Sequence, residues 1–226
     1  MPEGLFALER GGRIAPAVNM QSRQPAWRNG ALGFLVIGWL ILMSPGAAEA
    51  GAGPSEVVRN LYAQLLDTMQ RAAGLGARGR YQKLEPVMLA TFDVPFMARL
   101  SVGPSWSRLT PEQKRQAAAA YGRYVAALYA TRFDSYSGER FEVLSEQKIK
   151  HGTLVRTQII KSNGEPVSVN YILHDNDHAW QIRDAYLSGS ISELATRRSE
   201  FANILRVGGI EGLITSLNKK ADDLQG

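Results

Sequence analysis

Three histidines and no cysteine are the whole stock of imidazole and thiol chemistry in this 226-residue chain. Without cysteine there can be no thiolate nucleophile, no thiolate metal site and no disulfide framework. Two of the histidines stand close together in His174-Asp175-Asn176-Asp177-His178, the one cluster whose side chains could tempt a metal reading. The segment lies between two runs of alternating polarity, where Asp and Asn are preferred because their side chains hydrogen-bond the backbone of a turn. A turn is therefore the expectation, and no metal is assigned. A serine or threonine nucleophile would need a histidine base, and no convincing pairing is present. Nor does the sequence contain an HExxH pair, a GxSxG elbow or a phosphate-cradling glycine loop. No catalytic residue or cofactor is assigned, and the chain reads as a non-enzyme.

What the sequence does offer is amphipathic and apolar bulk. Tyr121, Tyr124, Val125, Leu128 and Tyr129 recur at helical spacing and form one stripe. Such a stripe either packs a core or lines an apolar pocket of the kind that Tyr, Met and Trp often wall, and Met88 and Met97 would add adaptable side chains to it. Periodicity alone does not separate a filled interior from a hollow one.

The elements that must position this stripe follow from local pattern. Val57, Val58, Leu61, Leu65, Leu66 and Met69 predict a helix opened by Pro54 and Ser55 and ended at Gly74, Gly76 and Gly79. A second segment spans 81–91, and Asp93 caps a short helix that stops at Gly103-Pro104. Thr110-Pro111-Glu112-Gln113 is a capping box with proline at the first helical position, starting a helix that runs to about Phe133. Beyond it the period falls to 2. Phe141 with Val143, then 153–161, 166–173 and 180–187, read as four strands of an antiparallel meander, with turns at His151-Gly152, Ser162-Asn163-Gly164-Glu165 and Asp175-Asn176-Asp177. In the last strand Trp180, Ile182, Asp184 and Tyr186 alternate with Gln181, Arg183, Ala185 and Leu187. Gly189-Ser190-Ile191-Ser192 leads, with Ser192 or Ser190 as the cap, into two closing helices, 192–206 and 210–224, joined at Gly208-Gly209. The fold class is α+β, with helices on one face of a four-stranded antiparallel sheet.

Ahead of all this stands an export signal. Ala31 to Met43 is an uncharged apolar run preceded by Arg23 and Arg28 and followed by Ser44-Pro45-Gly46-Ala47-Ala48-Glu49-Ala50. That is a charged region, an apolar core and a small-residue cleavage site in order. As a helix the run rises only about 20 Å, short of the roughly 30 Å hydrocarbon core, which favours cleavage after Ala50 over a permanent anchor. Met20 begins a conventional signal, so translation is expected to start there. Residues 1–50 carry four Arg and three Glu, so the net charge of +5 falls to about +4 in a single mature domain, 51–226. Charge this mild and this dispersed excludes a nucleic-acid footprint.

Several segments together resemble a known family. Thr91-Phe92-Asp93-Val94-Pro95-Phe96-Met97-Ala98-Arg99-Leu100, then Gly103, Trp106 and Leu109-Thr110-Pro111-Glu112-Gln113, are similar to the toluene-tolerance family of periplasmic phospholipid-binding proteins, the MlaC-like lipid shuttles. So is the closing pattern of 180–187, Ile191-Ser192, Arg197, Ser199-Glu200-Phe201, Ile204 and Gly208-Gly209-Ile210-Glu211-Gly212-Leu213-Ile214. The run 187–201 resembles in particular the hopanoid-biosynthesis-associated branch, HpnM. The resemblance implies a strongly curved, NTF2-like sheet, lipid tails held inside, a polar head at the mouth, and an ABC-type complex at the inner membrane as partner. It further implies a hopanoid or a phospholipid as the lipid and the periplasm as the compartment.

Under that resemblance the cavity-lining candidates are Val94, Phe96, Met97, Leu100, Tyr121, Val125, Leu128, Tyr129, Tyr171, Trp180, Ile182, Leu205 and Ile214. Arg99, Arg197 and Arg198 could meet an anionic head group, although an arginine on a helix face is commonly solvated or paired. Each methylene of a lipid tail exposed to water costs about 0.8 kcal/mol, so a lipid crossing an aqueous gap needs an apolar interior to travel in. Release then needs a partner that shifts the carrier between states of different affinity. The rival expectation is a non-catalytic periplasmic scaffold with a filled interior, recruiting enzymes of lipid maturation.

Overall fold

Helix boundaries follow the caps closely. The computed structural model describes residues 52–176 and 179–226, which lie in one unit, Glu49–Gly226. The expected export segment and its cleavage after Ala50 lie outside the described residues, as do Asp177 and His178. Helix α1 (Pro54–Gln70) begins on proline, which needs no N–H partner. The chain turns at Arg71 and re-enters helix as α2 (Ala72–Thr91), earlier than the glycine run suggested. Gly76, with φ 61° and ψ −179°, interrupts α2 in a conformation essentially restricted to glycine. Asp93 accepts from the Phe96 N–H at 3.2 Å and opens α3 (Val94–Val102). A single 3-10 stretch, Gly103–Arg108, follows.

Thr110 and Gln113 close the capping box in both directions, at 3.2 and 3.0 Å, and start α4 (Pro111–Arg132), which is capped at Phe133. Ser192 accepts from the Ala195 N–H at 3.0 Å and opens α5 (Glu193–Asp223). The joint expected at Gly208-Gly209 is a break within α5 at Gly209, where φ is 61° and ψ −159°.

The sheet has five strands rather than four. β1 (Arg140–Ile149), β2 (Gly152–Ile160), β3 (Pro166–Asp175) and β4 (Trp180–Leu187) form the expected meander. β5 (Ile191–Ser192) adds a two-residue edge antiparallel to β4, because Ser188 and Gly189, both at positive φ, turn the chain back so that Leu187 faces Ile191. The first hairpin turns at Lys150 and His151, with Gly152 already paired to Ile149. Gly152 has φ +133°, and a Cβ there would lie 2.2 Å from the Leu173 carbonyl oxygen.

One sheet face is buried: Val155, Thr157 and Ile159 of β2, Val167, Val169, Tyr171 and Leu173 of β3, and Ile182 and Ala185 of β4. Arg156 and Ser168 on the opposite face are exposed. The helices pack on the buried face, α1 over β1 and β2 and α2, α3 and α5 toward β4, while α4 packs on α2, α3 and α5. Aromatic rings tie the layers together in a chain, Tyr62 to Phe141 at 4.9 Å, Phe141 to Phe133 at 6.0 Å, Phe133 to Tyr129 at 5.7 Å and Tyr129 to Phe92 at 5.6 Å. Such pairs add about 0.5–1.5 kcal/mol each beyond area burial. The Tyr62 hydroxyl pairs with that of Thr157, and burial pushes the Tyr62 phenol up to about 12.

The alternation expected along β4 fails at one point. Ile172 faces Asp184 and Leu173 faces Ile182, which leaves Arg183 as the extra residue of a β-bulge. After the bulge the phase is reversed, so Ala185, not Asp184 or Tyr186, stands opposite Tyr171 on the buried face. Arg183 is re-aimed to the Asp93 cap, Nε to Oδ2 at 2.8 Å, with its guanidinium 4.3 Å from the Phe96 ring centroid. The bulge thus fixes the start of α3 and one wall of the cleft described next.

Candidate functional site: an apolar cleft with two arginines

A narrow cleft lies between α3, α4, the first turns of α5 and β4. Its apolar walls are Phe92, Met97, Tyr121, Val125, Leu128, Tyr129 and Ala185, and its charged side is Arg132, Glu193 and Arg197. The stripe of α4 supplies most of one wall, because Tyr121, Val125, Leu128 and Tyr129 share a helix face and Arg132 continues that face by one turn. The cavity is about 20 Å³, room for about one water molecule. In this arrangement no acyl chain fits. Burial raises the phenol pKa values of Tyr121 and Tyr129, so both stay neutral at any physiological pH.

The charged side is an ordered array. Glu193 spans two guanidiniums, Oε1 accepting from Arg132 Nη1 at 3.2 Å and Oε2 from Arg197 Nη2 at 3.0 Å. Arg197, only 6% exposed, also donates to Glu200 Oε2 at 2.6 Å and to the Tyr124 hydroxyl at 3.3 Å. Burial opposes the charge of Arg197, yet Tyr124, Glu193 and Glu200 together carry its pKa upward. The first turn of α5 is held to the sheet by Asp184, which accepts from Ser192 Oγ at 2.6 Å and from the Leu194 N–H at 3.2 Å. Burial raises the Asp184 carboxyl above its ordinary 3.8 despite those bonds.

Five of the thirteen cavity candidates line this cleft: Met97, Tyr121, Val125, Leu128 and Tyr129. Val94, Tyr171 and Ile182 are buried in the surrounding core, and Leu205 and Ile214 pack half-buried against it on α5. Phe96 sits beneath Arg183 and Arg99. Leu100 is 38% exposed on α3, away from the cleft. Trp180 borders a different recess, of about 300 Å³, with Lys148, Lys150, His151, His174 and Asp175 at the turn end of the sheet. Of the three arginines considered, Arg197 reaches the cleft, while Arg99 and Arg198 are exposed elsewhere.

Phe92, Arg132, Ala185 and Glu193 were not among the sequence candidates. Arg132 and Glu193 carry a detectable signal, the one continuing the α4 stripe and the other standing four residues before Arg197 on α5. Ala185 carries none, since the bulge that turns it inward leaves no mark in the polarity pattern. Among the described residues no group of three or more His, Asp and Glu side chains could hold a metal ion. None of their helices is long and apolar enough to cross a membrane.

Comparison with known proteins finds a family match and similar solved structures. The family described as MlaC protein matches residues 59–219. A solved chain, described as the phospholipid-binding protein from Ralstonia solanacearum in complex with a phospholipid, is 21% identical, with a TM-score of 0.67 over 78% of this chain and 100% of that one. At that identity the likeness concerns the fold.

Proposed function

The chain belongs to the MlaC family, and we propose on that basis that it is a lipid carrier whose cargo lies between α4, α5 and the sheet. The observation that carries the reading is the cleft itself. Apolar side chains from α3, α4 and β4 converge on one space that a pair of arginines borders, an arrangement suited to hydrocarbon with a polar end. The cleft as described is narrow, about 20 Å³, and loading parts the α4 and α5 walls. Residues 1–50 direct export, and the domain works in the periplasm, moving a phospholipid or hopanoid between the inner and outer membranes in exchange with an ABC-type complex. It performs no catalysis. The neighbour from Ralstonia solanacearum, described as binding a phospholipid, lends support through its shared fold.

A cavity as small as 20 Å³ also favours a second reading, a scaffold whose interior stays filled. Extraction of the purified protein with organic solvent, followed by mass spectrometry, separates the two. The carrier releases a stoichiometric lipid whose mass tells a hopanoid from a phospholipid. Repeatedly empty preparations that also take up no lipid from liposomes would leave the scaffold. Sequencing the N-terminus of protein recovered from the cell envelope tests export, with residue 51 as the expected first residue.

A further inference from the structure

One end of the sheet is cationic and aromatic. Lys148 and Ile149 end β1, Lys150 and His151 make the turn, and Trp180 opens β4 beside them. All five border the open recess of about 300 Å³, to which, among the described residues, only Asp175 brings an acid. Lys148 and Lys150 have no ion pair or hydrogen bond among the described residues, whereas Lys83, Lys161 and Lys219 are paired to carboxylates. Between the two lysines Ile149 is exposed. The turn that presents these groups has a fixed shape, because Gly152 leaves it at φ +133° against the Leu173 carbonyl, where a side chain would not fit.

Ammonium groups, an exposed aliphatic side chain and a half-buried indole are the residue types that settle together at a bilayer surface. The ammoniums face anionic head groups, the indole lies at head-group level and the aliphatic chain enters just below. A stable protein–protein contact buries on the order of 1,000 Å² or more, which asks for more surface than two turns and a recess supply, whereas attraction to a charged membrane has no such minimum.

We propose that this end of the sheet docks the protein on an anionic membrane surface. The contact goes beyond the carrier reading, since it requires nothing of the cleft. Trp180 of the recess and Ala185 of the cleft stand on the same strand, so the docked protein keeps its cleft about 15 Å from the contact along β4. One lysine near such a surface is worth about fivefold in binding and the pair about thirtyfold, a strength that holds the protein without trapping it.

The test floats protein recovered from the cell envelope with vesicles of dioleoyl phosphatidylcholine, which has no net charge, or of an equal mixture with dioleoyl phosphatidylglycerol. The parent should float with the anionic vesicles and not with the neutral ones, and added salt should release it, because exposed charges are screened. Lys148→Gln/Lys150→Gln should bind the anionic vesicles about thirtyfold more weakly. Ile149→Ser should weaken binding and keep its salt dependence. Arg78→Gln/Arg156→Gln, which removes two exposed and unpaired charges elsewhere, should bind as the parent does. None of these residues lines the cleft, so every variant should keep the parent's lipid content on extraction, and docking and carriage are read separately.

Undiminished binding by a folded Lys148→Gln/Lys150→Gln protein overturns the assignment, as does undiminished binding by Ile149→Ser. An equal loss in Arg78→Gln/Arg156→Gln would place the attraction in net charge alone, and equal flotation with neutral vesicles would remove the anionic surface; either overturns it. A parent that ignores both vesicles but is retained on immobilised polyglutamate, with retention lost in the lysine variant, would assign the patch to an acidic protein segment and overturn the membrane site. Lipid-free protein that docks as expected would sink the carrier reading and leave the docking site standing.

Discussion

Replacing Leu128 with aspartate puts an ionisable group on the wall along which a lipid tail would lie. In the closed protein the cost is modest. Leu128 is only partly buried, so the substitution forfeits about 1–2 kcal/mol of apolar burial, which a domain stable by about 5–15 kcal/mol tolerates. In the loaded protein the carboxylate would face hydrocarbon with no partner, and it takes up a proton instead. The penalty on loading is then capped by the free energy of neutralising an aspartate of ordinary pKa about 3.9, at about 1.4 kcal/mol per pH unit.

That cap is about 5 kcal/mol at about pH 7.4 and about 2 kcal/mol at about pH 5.4. Loading raises the carboxyl pKa, so acid favours the loaded state. Leu128→Asp should therefore lose up to about three-thousandfold in lipid affinity near neutrality and recover up to about a hundredfold over two units of acidification, beyond any change in the parent. Uptake from vesicles at the two pH values measures this, with circular dichroism confirming the fold at each. A folded variant that takes up lipid as the parent does, with the same pH profile, would show that the tail does not pass Leu128.

Two further predictions concern the frame around the cleft. Gly152→Ala would force a Cβ to within 2.2 Å of the Leu173 carbonyl oxygen at φ +133°, at a cost of about 3 kcal/mol or more, and should lower the melting temperature by about 6–12 °C; an unchanged thermal transition would refute the close approach. Lys83 hydrogen-bonds Asp67 across α1 and α2 and holds its carboxyl below the ordinary 3.8. A depressed carboxyl stabilises the fold above its unfolded pKa and loses that contribution as pH falls through the folded one. The stability lost in Lys83→Met should accordingly be constant above about pH 4 and shrink on further acidification, as followed by urea unfolding; a gap independent of pH down to acid unfolding would contradict the pairing.

Local chemistry was legible in the sequence where a single residue decides the backbone. Asp93, Thr110 with Gln113, and Ser192 cap the helices as their types demand, and Gly209 breaks α5 where the glycine pair stood. Legibility ended where tertiary pairing overrides period. The bulge at Arg183 arises from the register of β4 on β3, and it alone brings Ala185 to the cleft while Asp184 turns to hold α5. The two-residue β5 is too short to show any alternation.

The candidate site divides in the same way. Tyr121, Val125, Leu128 and Tyr129 converge because one helix face carries them. Val94, Tyr171 and Ile182 share their apolar character but belong to the filled core, a distinction that depends on which helices meet. The bridging role of Glu193 was hidden because its second arginine comes from a helix 61 residues away in sequence.

The absence of cysteine from the chain makes the central claim directly measurable. Thr131 on α4 and Ser199 on α5 are both exposed, one and two residues along the chain from Arg132 and Arg197 of the cleft. Replaced by cysteine and spin-labelled, they report the separation of its walls by pulsed electron resonance. If the cargo lies between these helices, the distance distribution lengthens when the protein takes lipid from vesicles and returns when the lipid is removed. Stoichiometric lipid bound with the distribution unchanged would contradict the account.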